Sequence, residues 1–291
     1  MKKSDVIGAI ILVVLLILFF GGFDIIRGVY GIALPDDNDM LILLNGGVFL
    51  IGLVWYIINR GINKRLAERI HNTHDPDEKI RLIDDAIKKN CSAPLEKTGK
   101  AREQACVAKV TFLGMAADAY ISKEDFSSAL SRLTEARALF QYLGSEQANS
   151  NTLSVSEQCI LTESVCLSRL GRVGEAEWLI TPFMNRLGEI DDPGAALIMT
   201  ARFEQAISVN DVQTARKVVD YIHPIYERLE KNYGPEIRSD YFLMDGIVNL
   251  MEGLYDEGVQ KLTYVINNTS DYGRLHRARK LLNYSYYEAA S

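Results

Sequence analysis

Two apolar runs, Val6 to Phe23 and Met40 to Ile58, stand within the first sixty residues, and neither contains a charged side chain. At about 1.5 Å per helical residue each is long enough to cross the roughly 30 Å of a bilayer's hydrocarbon layer. The first run holds 14 Val, Ile, Leu or Phe residues. Each favours insertion by roughly 0.3 to 0.6 kcal/mol, so the segment is expected to enter a membrane as a helix. A cleaved signal peptide is the rival reading, because Lys2 and Lys3 precede the apolar stretch. It is disfavoured: small residues are missing from the usual cleavage positions, where Phe20 stands two before Gly22, and a second span follows almost at once.

Glycines in both spans, Gly8, Gly46, Gly47 and Gly52, allow close helix approach, and Asn45 offers an interhelical hydrogen bond, although glycine is common in membrane helices generally. Orientation follows from the flanking cations. Lys2, Lys3, Arg60, Lys64, Arg65 and Arg69 lie outside the hairpin, against Arg27 alone in the connecting segment, so both termini are expected in the cytoplasm of a two-span membrane protein. The basic cluster Arg60, Lys64, Arg65 and Arg69, with Ile62, Leu66 and Ile70 between its charges, reads as an interfacial extension of the second span over anionic lipid. Three parts follow: a transmembrane anchor at 1–61, a juxtamembrane basic helix and approach helices at 62–107, and a helical domain at 108–291.

Residues 62–291 carry 28 basic and 33 acidic side chains, a mild negative balance without the basic stripe that nucleic-acid binding requires. Cys91, Cys106, Cys159 and Cys166 fall in no metal or redox spacing and read as buried thiols in a reducing compartment. His71 and His74 sit in a polar hinge and read as solvated rather than as metal ligands. No nucleophile elbow, phosphate-binding glycine loop or histidine–carboxylate cluster is present, so neither enzymatic activity, a metal nor a cofactor is expected.

The remainder reads as helix after helix, with no strand alternation. Asp75-Pro76 and Asp192-Pro193 are helix starts, Ser122 to Asp125 and Ser154 to Glu157 match capping boxes, and Gly234-Pro235 pairs a stop with a start. The pattern predicts helices near 98–121, 126–143, 155–170, 174–188, 194–209, 212–231, 236–252, 256–268 and 274–289. Pro182 and Pro224 are expected late in theirs, where they kink or end them.

Four of the breaks resemble one another. The clearest runs from Tyr120 through Phe126 to Ala129, followed by Leu133 and Ala136. Weaker versions run from Leu167 through Gly171 to Ala176, from Ala206 through Asn210 to Ala215, and from Gly246 through Gly253 to Gly258. Tyr120, Ala129, Ala136, Ala176, Ala215 and Gly258 are the expected packing positions, where a larger residue should overpack by about 1–3 kcal/mol.

The set resembles the tetratricopeptide-repeat family over about residues 108–270. Intervals of 47, 39 and 43 residues between the small positions exceed that family's period of about 34, so the repeats are divergent. The resemblance implies an all-α solenoid of antiparallel helix pairs, with Arg274, Arg277, Arg279 and Lys280 around a final capping helix. It also implies that the first helix of each pair lines a groove. That puts Thr111, Gly114, Asp118, Gln158, Leu161, Val165, Thr200, Glu204, Asp240, Leu243 and Ile247 inside. The lining lacks the basic clamp with which some members of that family hold a peptide carboxylate. Through Asp118, Glu204 and Asp240 it favours a basic or amphipathic peptide.

The functional expectation is a membrane-anchored cytoplasmic scaffold that binds protein or peptide partners. The alternatives are a sensor of a peptide or metabolite, and an outward-facing chaperone if the topology is inverted.

Overall fold

Capping chemistry divides the chain into helices. The computed structural model describes residues 68–70, 72–91, 93–143 and 151–289, with side chains described as far as Asn283. These belong to one unit, Leu66–Ser291. Both apolar runs, the cations Arg60, Lys64 and Arg65, His71 and the connector at 144–150 lie outside the described residues.

Ten α-helices are described from end to end: α1 Pro76–Asn90, α2 Gly99–Ser122, α3 Phe126–Arg137, α4 Val155–Arg169, α5 Val173–Met184, α6 Asp192–Ser208, α7 Val212–Tyr233, α8 Arg238–Met251, α9 Tyr255–Asn268 and α10 Tyr272–Ala289. No strand occurs among the described residues. Asp75, Asp125, Asp191 and Asp211 each accept a hydrogen bond from a backbone N–H in the first turn of the helix they precede. Ser154 and Glu157 form a reciprocal capping box.

Three local expectations need revision. Ser122 ends α2 and donates to the Asp118 carbonyl, leaving Asp125 to cap α3. The second predicted helix stops at Arg137 and resumes as a short 3-10 turn, Phe140–Tyr142. Pro224 falls mid-way in α7, which continues to Tyr233 because its tertiary packing outweighs one lost hydrogen bond. Pro182 is late in α5, as the pattern predicts.

Four hairpins, α2/α3, α4/α5, α6/α7 and α8/α9, share one turn. Each has three residues, and its middle residue is left-handed: Glu124 (φ 58), Gly171 (φ 75), Asn210 (φ 57) and Gly253 (φ 78). The third residue's N–H returns to a carbonyl five positions earlier. These bonds run from Asp125 to Tyr120, Arg172 to Leu167, Asp211 to Ala206 and Leu254 to Asn249, at 2.8 to 2.9 Å. This Schellman geometry satisfies the last carbonyls of the first helix while reversing the chain.

Counted from that left-handed residue, the same positions are buried each time. Five residues on stand Ala129, Ala176, Ala215 and Gly258; nine on, Leu133, Ile180, Val219 and Leu262; twelve on, Ala136, Phe183, Ile222 and Val265. Seven before it, Ala117, Ser164, Phe203 and Gly246 are buried as well. Gly246 and Gly258 face each other where α8 crosses α9. A Cβ on Gly258 would come within 2.8 Å of Leu250 and 3.1 Å of the Gly246 carbonyl.

Eight positions before the left-handed residue, a charged residue ties each hairpin to the preceding one. Glu163 pairs with Arg137 at 3.0 Å, Arg202 with Glu177 at 2.6 Å, and Asp245 with Arg216 at 2.8 Å. In the first hairpin that position is Ala116, which packs on α1 with Ile70, Leu82, Ile83 and Ala86. Ile70 is therefore in a protein core rather than facing lipid, and Arg69 pairs with Glu78 at 3.2 Å. Helix α2 is long and apolar enough to span a membrane by length and composition alone. It packs against α1, α3 and α4, which accounts for its apolarity.

Candidate functional site

The first helices of the first three hairpins adjoin in sequence, α2 on α4 and α4 on α6, and α10 packs on α8. Helix α10 does more than cover the end of the series, because it also reaches back to α2. Together these helices border a recess of about 180 Å³ lined by Ile121, Phe126, Val165, Arg169, Glu204 and Leu243, and by Asp271, Arg274 and Arg277 of the final segment.

Glu204 is the centre of its charge. Its carboxylate, 5 % exposed, accepts from Arg169 Nε at 2.7 Å and from Arg277 Nη1 at 2.5 Å. Burial pushes this carboxyl up, but the two guanidinium groups outweigh burial and hold it below the usual carboxylate range. Arg169 also lies over the Phe126 ring, 5.8 Å from its centroid. Asp240 is engaged by Arg274 at 2.5 Å, and there desolvation prevails and raises the carboxyl. Glu124, in its left-handed turn, pairs with Lys280 at 2.5 Å.

Asp118 differs from these. The residue is exposed, and among the described residues no hydrogen bond joins its carboxylate to a cation. Protein mass around it raises its pKa to about 6; the Asp271 charge adds to the shift and Lys79 opposes it.

The residues expected to line a groove are thus divided. Asp118, Val165, Glu204 and Leu243 border or approach the recess, and Asp240 joins them through Arg274. Leu161 is fully buried with Ile180, Phe183 and Ile198 and presents no surface, and Ile247 belongs to the largest core cluster. Gln158 is exposed and donates to the Leu153 carbonyl, while Thr200 donates to the Ala196 carbonyl. Tyr120 packs in the α2/α3 core, with Arg132 over its ring.

The basic residues of this site, Arg169, Arg274, Arg277 and Lys280, were not foreseen as parts of it. The three-residue spacing of Arg274, Arg277 and Lys280 on α10 is legible in the sequence, but the acids these three meet lie 34 to 156 positions away in the chain.

The four cysteines are buried and unpaired, and burial pushes the Cys159 and Cys166 thiols up to about 12, away from reactivity. No cluster of three potential metal ligands occurs among the described residues. No family model, curated protein or solved structure matches the chain.

Proposed function

We propose that this chain is a membrane-anchored scaffold whose divergent tetratricopeptide-type solenoid engages protein or peptide partners through its inner face at the cytoplasmic surface. The observation that carries the reading is the fourfold recurrence of one hairpin, with the same left-handed turn and the same buried positions. Hairpins stacked in this way bury a continuous core and leave one face of the series as an extended surface. The apolar runs at 6–23 and 40–58 supply the anchor, and the distribution of flanking cations supplies the orientation.

Asp118 is the test position, because the residue is exposed and no ion pair engages it among the described residues. The full chain and an Asp118→Lys variant, tagged and cross-linked in their native membrane, are expected to differ by the loss of a specific protein partner from the variant. An unchanged partner set would contradict the reading.

A regulatory sensor is favoured by one observation, the recess of about 180 Å³, which has room for a small ligand. The outward-facing chaperone requires the opposite topology. A reporter fused after Ser291 is expected on the cytoplasmic side, and its appearance outside would favour the chaperone.

A further inference from the structure

Helix α10 places three cations in a row at three-residue steps, and each meets an acid from a different part of the array. Arg274 meets Asp240 of α8, Arg277 meets Glu204 of α6, and Lys280 meets Glu124 of the α2/α3 turn. These contacts span the series from its last hairpin to its first. We propose that α10 is a strap that occupies the inner face in place of a partner, its basic row engaging the acids that a basic amphipathic helix of another protein would otherwise bind. The inference rests on the inner face being the partner surface, and it adds how that surface is regulated.

Two further observations support it. Among residues 272–283 only Ala278 is buried, whereas α7 buries seven residues and α9 buries Gly258, Leu262 and Val265. Leu281 and Leu282 are only partly buried against the neighbouring core. The ion pairs that join α10 to the inner face have partly exposed members, and such contacts weaken with salt and open at lower cost than a buried core. The second observation is the left-handed turn. Glycine or asparagine fills the other three central positions, but the first has Glu124, which adopts that backbone less readily. Glu124 is the residue that Lys280 grips, so the strained position is the one that receives the strap.

The contact that closes the strap also supplies its test. A Cβ on Gly273 would stand 3.1 Å from Ser122 Cβ, so a Ser122→Cys, Gly273→Cys pair closes a disulfide after a small outward shift to the usual spacing of about 3.8 Å. The four native thiols are buried. The full chain with this pair, purified in detergent, is titrated with a labelled synthetic peptide of residues 272–289, oxidised and then reduced.

The reduced form is expected to bind the peptide about tenfold or more tightly than the oxidised form, because locking removes the competent state. Hydrogen exchange in α10 should be faster than in α8 only when the pair is reduced. Equal affinity in both redox states, or α10 amides as protected as those of α8 in the reduced protein, would overturn the strap. Fast α10 exchange with no peptide binding in either state would instead overturn the partner surface on which the inference rests.

Discussion

Small side chains set how closely the hairpins pack, and one glycine shows the limit. At Gly258 an added Cβ meets Leu250 at 2.8 Å and backbone at 3.1 Å, so the helices must separate. Gly258→Val is expected to destabilise the fragment 66–291 by about 1–3 kcal/mol in urea unfolding. Gly174→Ala, at an exposed helical position with nothing within 4 Å, should leave stability unchanged or raise it by up to about 1 kcal/mol. Equal losses at both sites would mean that the crossing is not the tight contact described.

Asp118 gives the residue scale a pH signature. Its carboxyl is raised to about 6 by desolvation and Asp271, above the ordinary value of 3.8, so the folded protein holds this proton more tightly than the unfolded chain. The stability from this group is complete below pH 3.8 and is lost as pH rises through about 6. Asp118→Asn should therefore raise the melting temperature at pH 7 relative to the parent, with the difference narrowing towards pH 4. A difference independent of pH would contradict the assignment.

At the scale of elements, the helix pattern was legible because caps and breakers are local. Asp75, Ser154, Asp191 and Asp211 stand next to the helices they start, and Gly171 and Gly253 mark turns by their own backbone freedom. The shared turn predicts that Asn210→Gly stabilises the α6/α7 hairpin by up to about 1 kcal/mol. Gly171→Ala should cost about 1 kcal/mol in the α4/α5 hairpin. Thermal unfolding of the two variants checks both signs, and a gain from Gly171→Ala would mean that the turn is not left-handed.

What was not legible is pairing across distance. Nothing in the local sequence around Asp245 marks it for burial, yet it is 3 % exposed between Arg216 and Lys261. Ile70 was read as lipid-facing because hydrophobic spacing shows an apolar face without naming what covers it, and the cover is α1 with Ala116 of α2. The basic row of α10 reads in the sequence as part of a capping helix, and its acids stand far off in the chain, on α6, on α8 and in the first hairpin turn.

For the whole molecule, the proposed function joins two apolar runs read as membrane spans to a series of repeated hairpins, and it assigns partner contact to the inner face of that series. Site-specific photo-crosslinking of the full chain in intact cells tests this directly, with the probe placed at Asp118, whose charge is felt with that of the recess residue Asp271, or at Trp178, which is 71 % exposed. The account predicts protein adducts from position 118 that exceed those from 178. Adducts from 178 alone, or none from 118, would contradict it.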